Sequence, residues 1–251
     1  MIKKMTLGLL VGINALLGVL HAQPAEKDSL MLNFLLGELA VQRNDLESAT
    51  KYLENTTRYQ KIPYVLRQQF NLAYGQEDYT KALSLLQQIL KDEPENIEAL
   101  LFESLIYARL NNYETAANVM NNIVQLYSDK TNENGFHFLY RELKGQLDPN
   151  IFLEIYKKLA VMNDYSVAVT PLLASLLVDN GVYDEAVQYL TAIIEKDPDN
   201  AVNYSLLMYA YSLMNESAKG LEVLKSAAEK SSVLAVKLDY LQALMSDFYY
   251  E

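Results

Sequence analysis

Apolar residues in this chain return at helical spacing, and short polar turns divide them at a near-constant interval. Each turn is followed by a small residue that starts a new apolar face. These residues are Ala49, Ala82, Ala116, Ala186 and Gly220, at spacings of 33, 34, 70 and 34. From them the apolar positions run one helical turn apart, as Ala49-x-x-x-Leu53, Ala82-x-x-x-Leu86, Ala116-x-x-x-Met120 and Ala186-x-x-x-Leu190. Upstream of each turn lies a second periodic stretch, with Leu100 and Tyr107 in one copy and Leu173-Ala174-x-x-Leu177 in another. The pattern predicts pairs of antiparallel helices, a first helix A and a second helix B, in which the small residue lets the two approach closely. Lys91-Asp92-Glu93-Pro94-Glu95-Asn96 and Lys196-Asp197-Pro198-Asp199-Asn200 separate one pair from the next. Proline cannot continue a helix there, and Asp or Asn can cap the following one.

The doubled spacing between Ala116 and Ala186 leaves room for one irregular unit at about 128–165. It reads as a polar break from Ser128 to Gly135, a helix near Phe136–Gly145, and a second helix started by Asp148-Pro149 and reaching about Val161. One more amphipathic helix follows, about Val233–Tyr249. The expected architecture is six antiparallel helix pairs and a lone C-terminal helix. Leu234, Leu238, Leu241, Leu244, Met245 and Phe248 give that last helix a broad apolar face, against which Lys237, Asp239, Gln242, Ser246 and Asp247 supply only part of a solvated side. Weak self-association or docking through it is expected.

Asn33-x-x-Leu36-Gly37-x-x-Ala40 followed by Ala49-x-x-x-Leu53, and Ala82-x-x-x-Leu86 followed by Pro94, resemble the tetratricopeptide repeat in order and period. The resemblance implies an all-α solenoid that binds protein partners. The tryptophan often found early in that repeat is replaced by Asn33, Leu66, Leu100, Thr170 and Tyr204, and Gln69-Phe70 stands where a Leu-Gly pair is expected. The array is degenerate.

Residues 1–22 are a different object. Lys3 and Lys4 precede an apolar stretch from Met5 to Leu20, then His21-Ala22 and a polar run from Gln23, the layout of a cleavable signal peptide with cleavage after Ala22. The stretch contains Gly8, Gly12, Asn14 and Gly18 and falls short of the roughly 20 apolar residues that cross a bilayer. Residues 23–251 are then the helical repeat domain, with no later segment of transmembrane length. The opening unit, Phe34-Leu35-Leu36-Gly37-Glu38 with Gln42 to Ala49 and Tyr52-Leu53, is similar to the first repeat of large exported tetratricopeptide proteins of Gram-negative bacteria. That similarity implies a periplasmic protein of the cell envelope. Those relatives are generally longer, so a short member and a truncated one both fit.

Charge and composition narrow the chemistry. A net charge of −11 and a pI near 4.7 oppose nucleic-acid binding, and losing the leader removes two lysines more. Beyond the leader there is one histidine, His137, and no cysteine anywhere, which leaves no thiol nucleophile and no ordinary zinc ligand set. In Asp129-x-Thr131-x-Glu133-Asn134-Gly135 the glycine falls one place late for a calcium loop, and Tyr140 stands where a bidentate glutamate is required, so this segment reads as a plain loop. The glycines are scattered and form no phosphate-binding loop. The expectation is a non-enzyme with no cofactor and no metal.

Tyrosine is over-represented, with 19 against 7 phenylalanines and no tryptophan. Tyr79, Tyr113 and Tyr183 recur after the turns and read as helix-pair filler, as do Tyr107 and Tyr211. The resemblance places Tyr74 and Tyr209 on the helix A face that lines the concave surface of such repeats. On the same face stand Arg67 and Asn71, then Leu105 and Arg109. Arg67, Asn71, Tyr74, Leu105, Arg109 and Tyr209 are the candidate protein-binding residues. Arg67 and Asn71 resemble half of the clamp with which some tetratricopeptide domains hold a C-terminal carboxylate, but Leu101 and Leu105 occupy the place of the other half. A mixed groove for a peptide segment with an apolar anchor and an acid fits better. The functional expectation is a periplasmic scaffold or adaptor that binds another envelope protein. The alternative is an assembly component of a secretion, pilus or outer-membrane machine that docks through the ends of the array.

Overall fold

The structure, a computed structural model, describes residues 24–57, 63–230 and 233–250. The expected leader, residues 1–22, lies outside them. The described residues form thirteen helices: α1 (Pro24–Gln42), α2 (Leu46–Thr57), α3 (Pro63–Gly75), α4 (Tyr79–Asp92), α5 (Ile97–Arg109), α6 (Tyr113–Thr131), α7 (Gly135–Leu143), α8 (Pro149–Met162), α9 (Thr170–Asp179), α10 (Tyr183–Lys196), α11 (Ala201–Leu213), α12 (Ser217–Lys230) and α13 (Leu234–Tyr250). They are six A–B pairs followed by α13, as the periodicity predicts. None of them is long and apolar enough to cross a membrane. They divide into two compact units, one reaching Ala99 and one starting at Leu100.

Five of the six turns between paired helices share one mechanism, the α7–α8 turn being the exception. Asn44, Glu77, Asn111, Gly181 and Asn215 all have a left-handed backbone, with φ between 57° and 75°. The next residue then turns its N–H back to a carbonyl five residues upstream, as in Asp45 to Ala40 (2.9 Å), Asp78 to Ala73 (2.9 Å), Asn112 to Tyr107 (2.9 Å), Val182 to Leu177 (2.8 Å) and Glu216 to Tyr211 (2.9 Å). This closes helix A in a Schellman motif. The same residue opens helix B: Asp45 accepts from Ser48 N at 3.1 Å, Asp78 from Lys81 N at 3.0 Å and Asn112 from Thr115 N at 3.2 Å. One short turn thus ends one helix and caps the next, which fixes the antiparallel geometry.

In the first unit the core gathers Phe34, Leu53 and Val65, with Met31, Val41, Tyr64 and Leu72 packed against it. The small residues work as expected, since Ala49 and Ala82 are fully buried. A Cβ on Gly37 would stand 2.8 Å from Leu53 Cδ2. Of the two near-identical linkers, the first caps with Asn96, whose Oδ1 accepts from Ala99 N at 3.1 Å. In the second, Asn200 turns its amide to Asp197 instead and makes no side-chain cap.

In the second unit the helices pack mainly on their sequence neighbours, and α6 packs on both α7 and α8. The A helices α7, α9, α11 and α13 also touch in that order along one row. The irregular segment differs in part from its sequence reading. α6 continues to Thr131, so the break expected over Ser128–Gly135 shrinks to Asn132–Asn134. Polar side chains fold back onto the helix: Thr131 Oγ1 donates to Tyr127 O at 2.8 Å, and Ser128 Oγ accepts from Gly135 N at 3.1 Å. Asn134 then caps α7, and Asp148 before Pro149 caps α8 as expected. Gly135 is required by contact, because a Cβ there would lie 2.7 Å from Val124 Cα on α6. Tyr156 is buried whole, and its hydroxyl donates to Phe136 O at 2.9 Å, tying α8 to α7. Burial pushes its pKa well up.

Candidate protein-binding faces

The candidate residues fall into the two units, and each unit treats them differently. In the first unit, Arg67 lies on the exposed side of α3, but its Nη2 already donates to both carboxylate oxygens of Glu93, at 3.1 and 3.3 Å. Asn71 is exposed one turn further on. Tyr74 is half-buried and packs its ring against Phe70 (5.7 Å) and Tyr79 (6.0 Å), so much of it is structural. Beside them, Glu38 is buried on α1. Its Oε2 accepts from the Tyr64 hydroxyl at 3.4 Å, which in turn accepts from Gln68 at 2.9 Å, while Oε1 has no partner. Burial raises the Glu38 pKa and outweighs the lowering by the Tyr64 bond.

In the second unit, Leu105 is buried, 5% exposed, as are Ser104, Ile106 and Ala108 of the same helix. The expectation that it lines a ligand groove is corrected: it belongs to the packing of α5. Arg109, at the end of the same helix, is exposed. Tyr209 is the candidate that stands clear, with 54% of its surface open on α11. Two residues that sequence reasoning passed over accompany it, Val202 and Leu213, both exposed. Positions 202, 209 and 213 are seven and four apart, so they form one stripe along the helix. That spacing was available in the sequence, but α11 is apolar nearly all round and the pattern alone does not say which side is covered.

Neighbouring helices complete the row. α9 is buried over most of its circumference and shows only Pro171, Ser175 and Asp179, one turn apart. Asp179 accepts from Nζ of Lys144, the residue that ends α7, at 3.0 Å, and the same ammonium lies 5.0 Å from the centre of the Tyr140 ring. On the other side Ser205 of α11 donates to Asp239 of α13 at 2.9 Å. The result is a surface of small side chains with polar pairs at both edges and an apolar stripe centred on Tyr209. Among the described residues no group of His, Cys, Asp and Glu is placed to hold a metal ion. His137, the one histidine beyond the expected leader, is exposed on α7.

Stacked antiparallel helix pairs closed by a recurring left-handed turn define an α-solenoid of helix–turn–helix repeats. Tetratricopeptide repeat models match residues 73–131 and residues 172–200, which span the end of α3 through α6 and most of α9 and α10. The chain is a tetratricopeptide repeat protein. No curated protein matches it in sequence. Similar solved structures include a tetratricopeptide repeat protein from Parabacteroides merdae, 19% identical, covering 88% of this chain and 88% of that one with a TM-score of 0.42. The MamA protein is 17% identical, covering 67% of this chain and 91% of its own (TM-score 0.38). The tetratricopeptide domain of P58(IPK) is 14% identical, covering 90% and 68% (TM-score 0.39).

Proposed function

We propose that this chain is a non-catalytic, periplasmic scaffold that holds a peptide segment of another cell-envelope protein on the helix A row of its second unit. The carrying observation is the exposed stripe of Val202, Tyr209 and Leu213 beside the low strip of Pro171 and Ser175. A standing aromatic flanked by small residues gives a rigid anchor and room for a backbone to lie against it. Lys144–Asp179 and Ser205–Asp239 form a polar rim around an apolar centre, the usual division of labour in a binding patch. The leader pattern and the similarity of the opening repeat to exported proteins support the periplasmic placement.

The test is site-specific crosslinking in the native host, with a photoreactive residue in place of Tyr209 or, for comparison, of exposed Lys225 on α12. The expected result is a covalent adduct with one or a few envelope polypeptides at position 209 that is missing at 225, on a protein whose intact mass begins at Gln23. Equal adducts at both positions, or none at 209, would reject the face. A protein retaining Met1 and sedimenting with membranes would reject the location.

A further inference from the structure

Beyond peptide capture on the helix A row, we infer that two copies of this chain pair antiparallel through the outer face of α13. Successive helical residues are about 100° apart. On that wheel Val236, Tyr240 and Ala243 fall on one side, and they pack into the core with Tyr204, Leu224 and Ala227. Leu234, Leu238, Leu241 and Met245 fall on the opposite side within one narrow arc, and each of them is 47% to 68% exposed. The helix is therefore apolar on two sides, and the stripe faces away from the body it packs on.

Three features specify a second copy as the occupant. The stripe has spacings of four, three and four, which read the same in both directions, so reversing one helix places Leu234 opposite Met245 of the second copy and Leu238 opposite its Leu241. A two-fold contact requires that self-complementarity. The spacing is also that of a coiled-coil seam, in which such positions interlock. Finally, the chain as a whole is strongly acidic, yet Leu234–Met245 contains only Lys237 and Asp239 as charged residues. Asp239 is held by Ser205, and the antiparallel register sets Lys237 opposite Gln242 of the second copy, so pairing brings no acids together. Eight side chains along about 17 Å of helix make a small contact, so the dimer is reversible and concentration-dependent rather than permanent.

The experiment is sedimentation equilibrium of the full chain from low to high micromolar concentration, with two charge variants. One carries Leu238→Glu and Leu241→Glu, the other Leu238→Lys and Leu241→Lys. The affected side chains are exposed, so both variants should keep the wild-type far-UV circular dichroism. The expected result is a twofold rise in mean mass for wild type, lost in each variant alone and regained when the two are mixed in equal amounts. Wild type that keeps monomer mass throughout would overturn the proposal. So would association that survives the charges, or variants that stay apart on mixing.

Discussion

Replacing Asn203 with valine should stabilise the second unit, against the general rule that buried substitutions destabilise. Asn203 lies on α11 with no exposed surface, and neither Oδ1 nor Nδ2 has a hydrogen-bond partner. It stands seventeen residues before Gly220, and the residues seventeen before Ala82, Ala116 and Ala186 are Val65, Ala99 and Val169. All three are buried and apolar, so the repeat places this position in its apolar core. A buried polar group left unpaired costs about 1–3 kcal/mol, and valine removes that cost while keeping a similar volume. Some of the gain is spent on fitting a branched side chain, which leaves about 1–2 kcal/mol. For a chain of this length each kcal/mol moves the melting point by about 2–4 °C. Because repeats couple mainly to their neighbours, the gain should be concentrated around α11. Urea denaturation followed by circular dichroism measures the total, and hydrogen exchange locates it. Asn203→Asp is the opposing control, since an unpartnered buried carboxylate should cost several kcal/mol. A loss of 1 kcal/mol or more for Asn203→Val would show that the amide is bonded in solution, to buried water for instance, and would refute the reasoning.

Gly135→Ala should cost about 1–3 kcal/mol or more through overpacking, because its Cβ meets Val124 backbone on α6. Gly220→Ala, which meets the flexible end of Met208, should cost less, and equal melting-point losses would contradict the distinction. Glu38 has a raised pKa in the folded state, so folding favours its protonated form. Its contribution is greatest below the ordinary glutamate range and falls as pH rises from there toward the raised value. Glu38→Gln should flatten that part of the stability–pH profile, and superimposable profiles for the two proteins would refute the assignment.

The helix pairs were legible because their cause is local. Small residues at a fixed period, Asn or Asp in the turns, and Pro with Asp in two of the linkers each act within a few residues, and the regular A–B pairs follow from them, while α7 and α8 fall outside that period. The polar run after Ser128 misled for a physical reason: hydroxyl side chains can satisfy a helix from outside as readily as they can break it. The candidate binding face was less legible. Arg67 is engaged by Glu93, which lies 26 residues downstream. Leu105 sits in a helix whose apolar residues occupy most of its circumference, so periodicity does not distinguish its covered side from its open one. Tyr209 is a candidate because the resemblance puts it on the helix A face, and it is exposed there, whereas Val202 and Leu213 lie in a helix too uniformly apolar for periodicity to single them out.

The helices of each unit meet mainly their neighbours in sequence, and this has a bearing on how the chain is made. Lys158 reaches Glu114 across 44 residues, Asn163 reaches Asn121 across 42, and Ser205 reaches Asp239 across 34. Closing such short loops carries little entropy cost and sets no slow step of its own. Each helix pair can therefore find its native neighbours while the next is still being delivered, and the length of apolar surface awaiting a partner at any moment stays near that of one repeat.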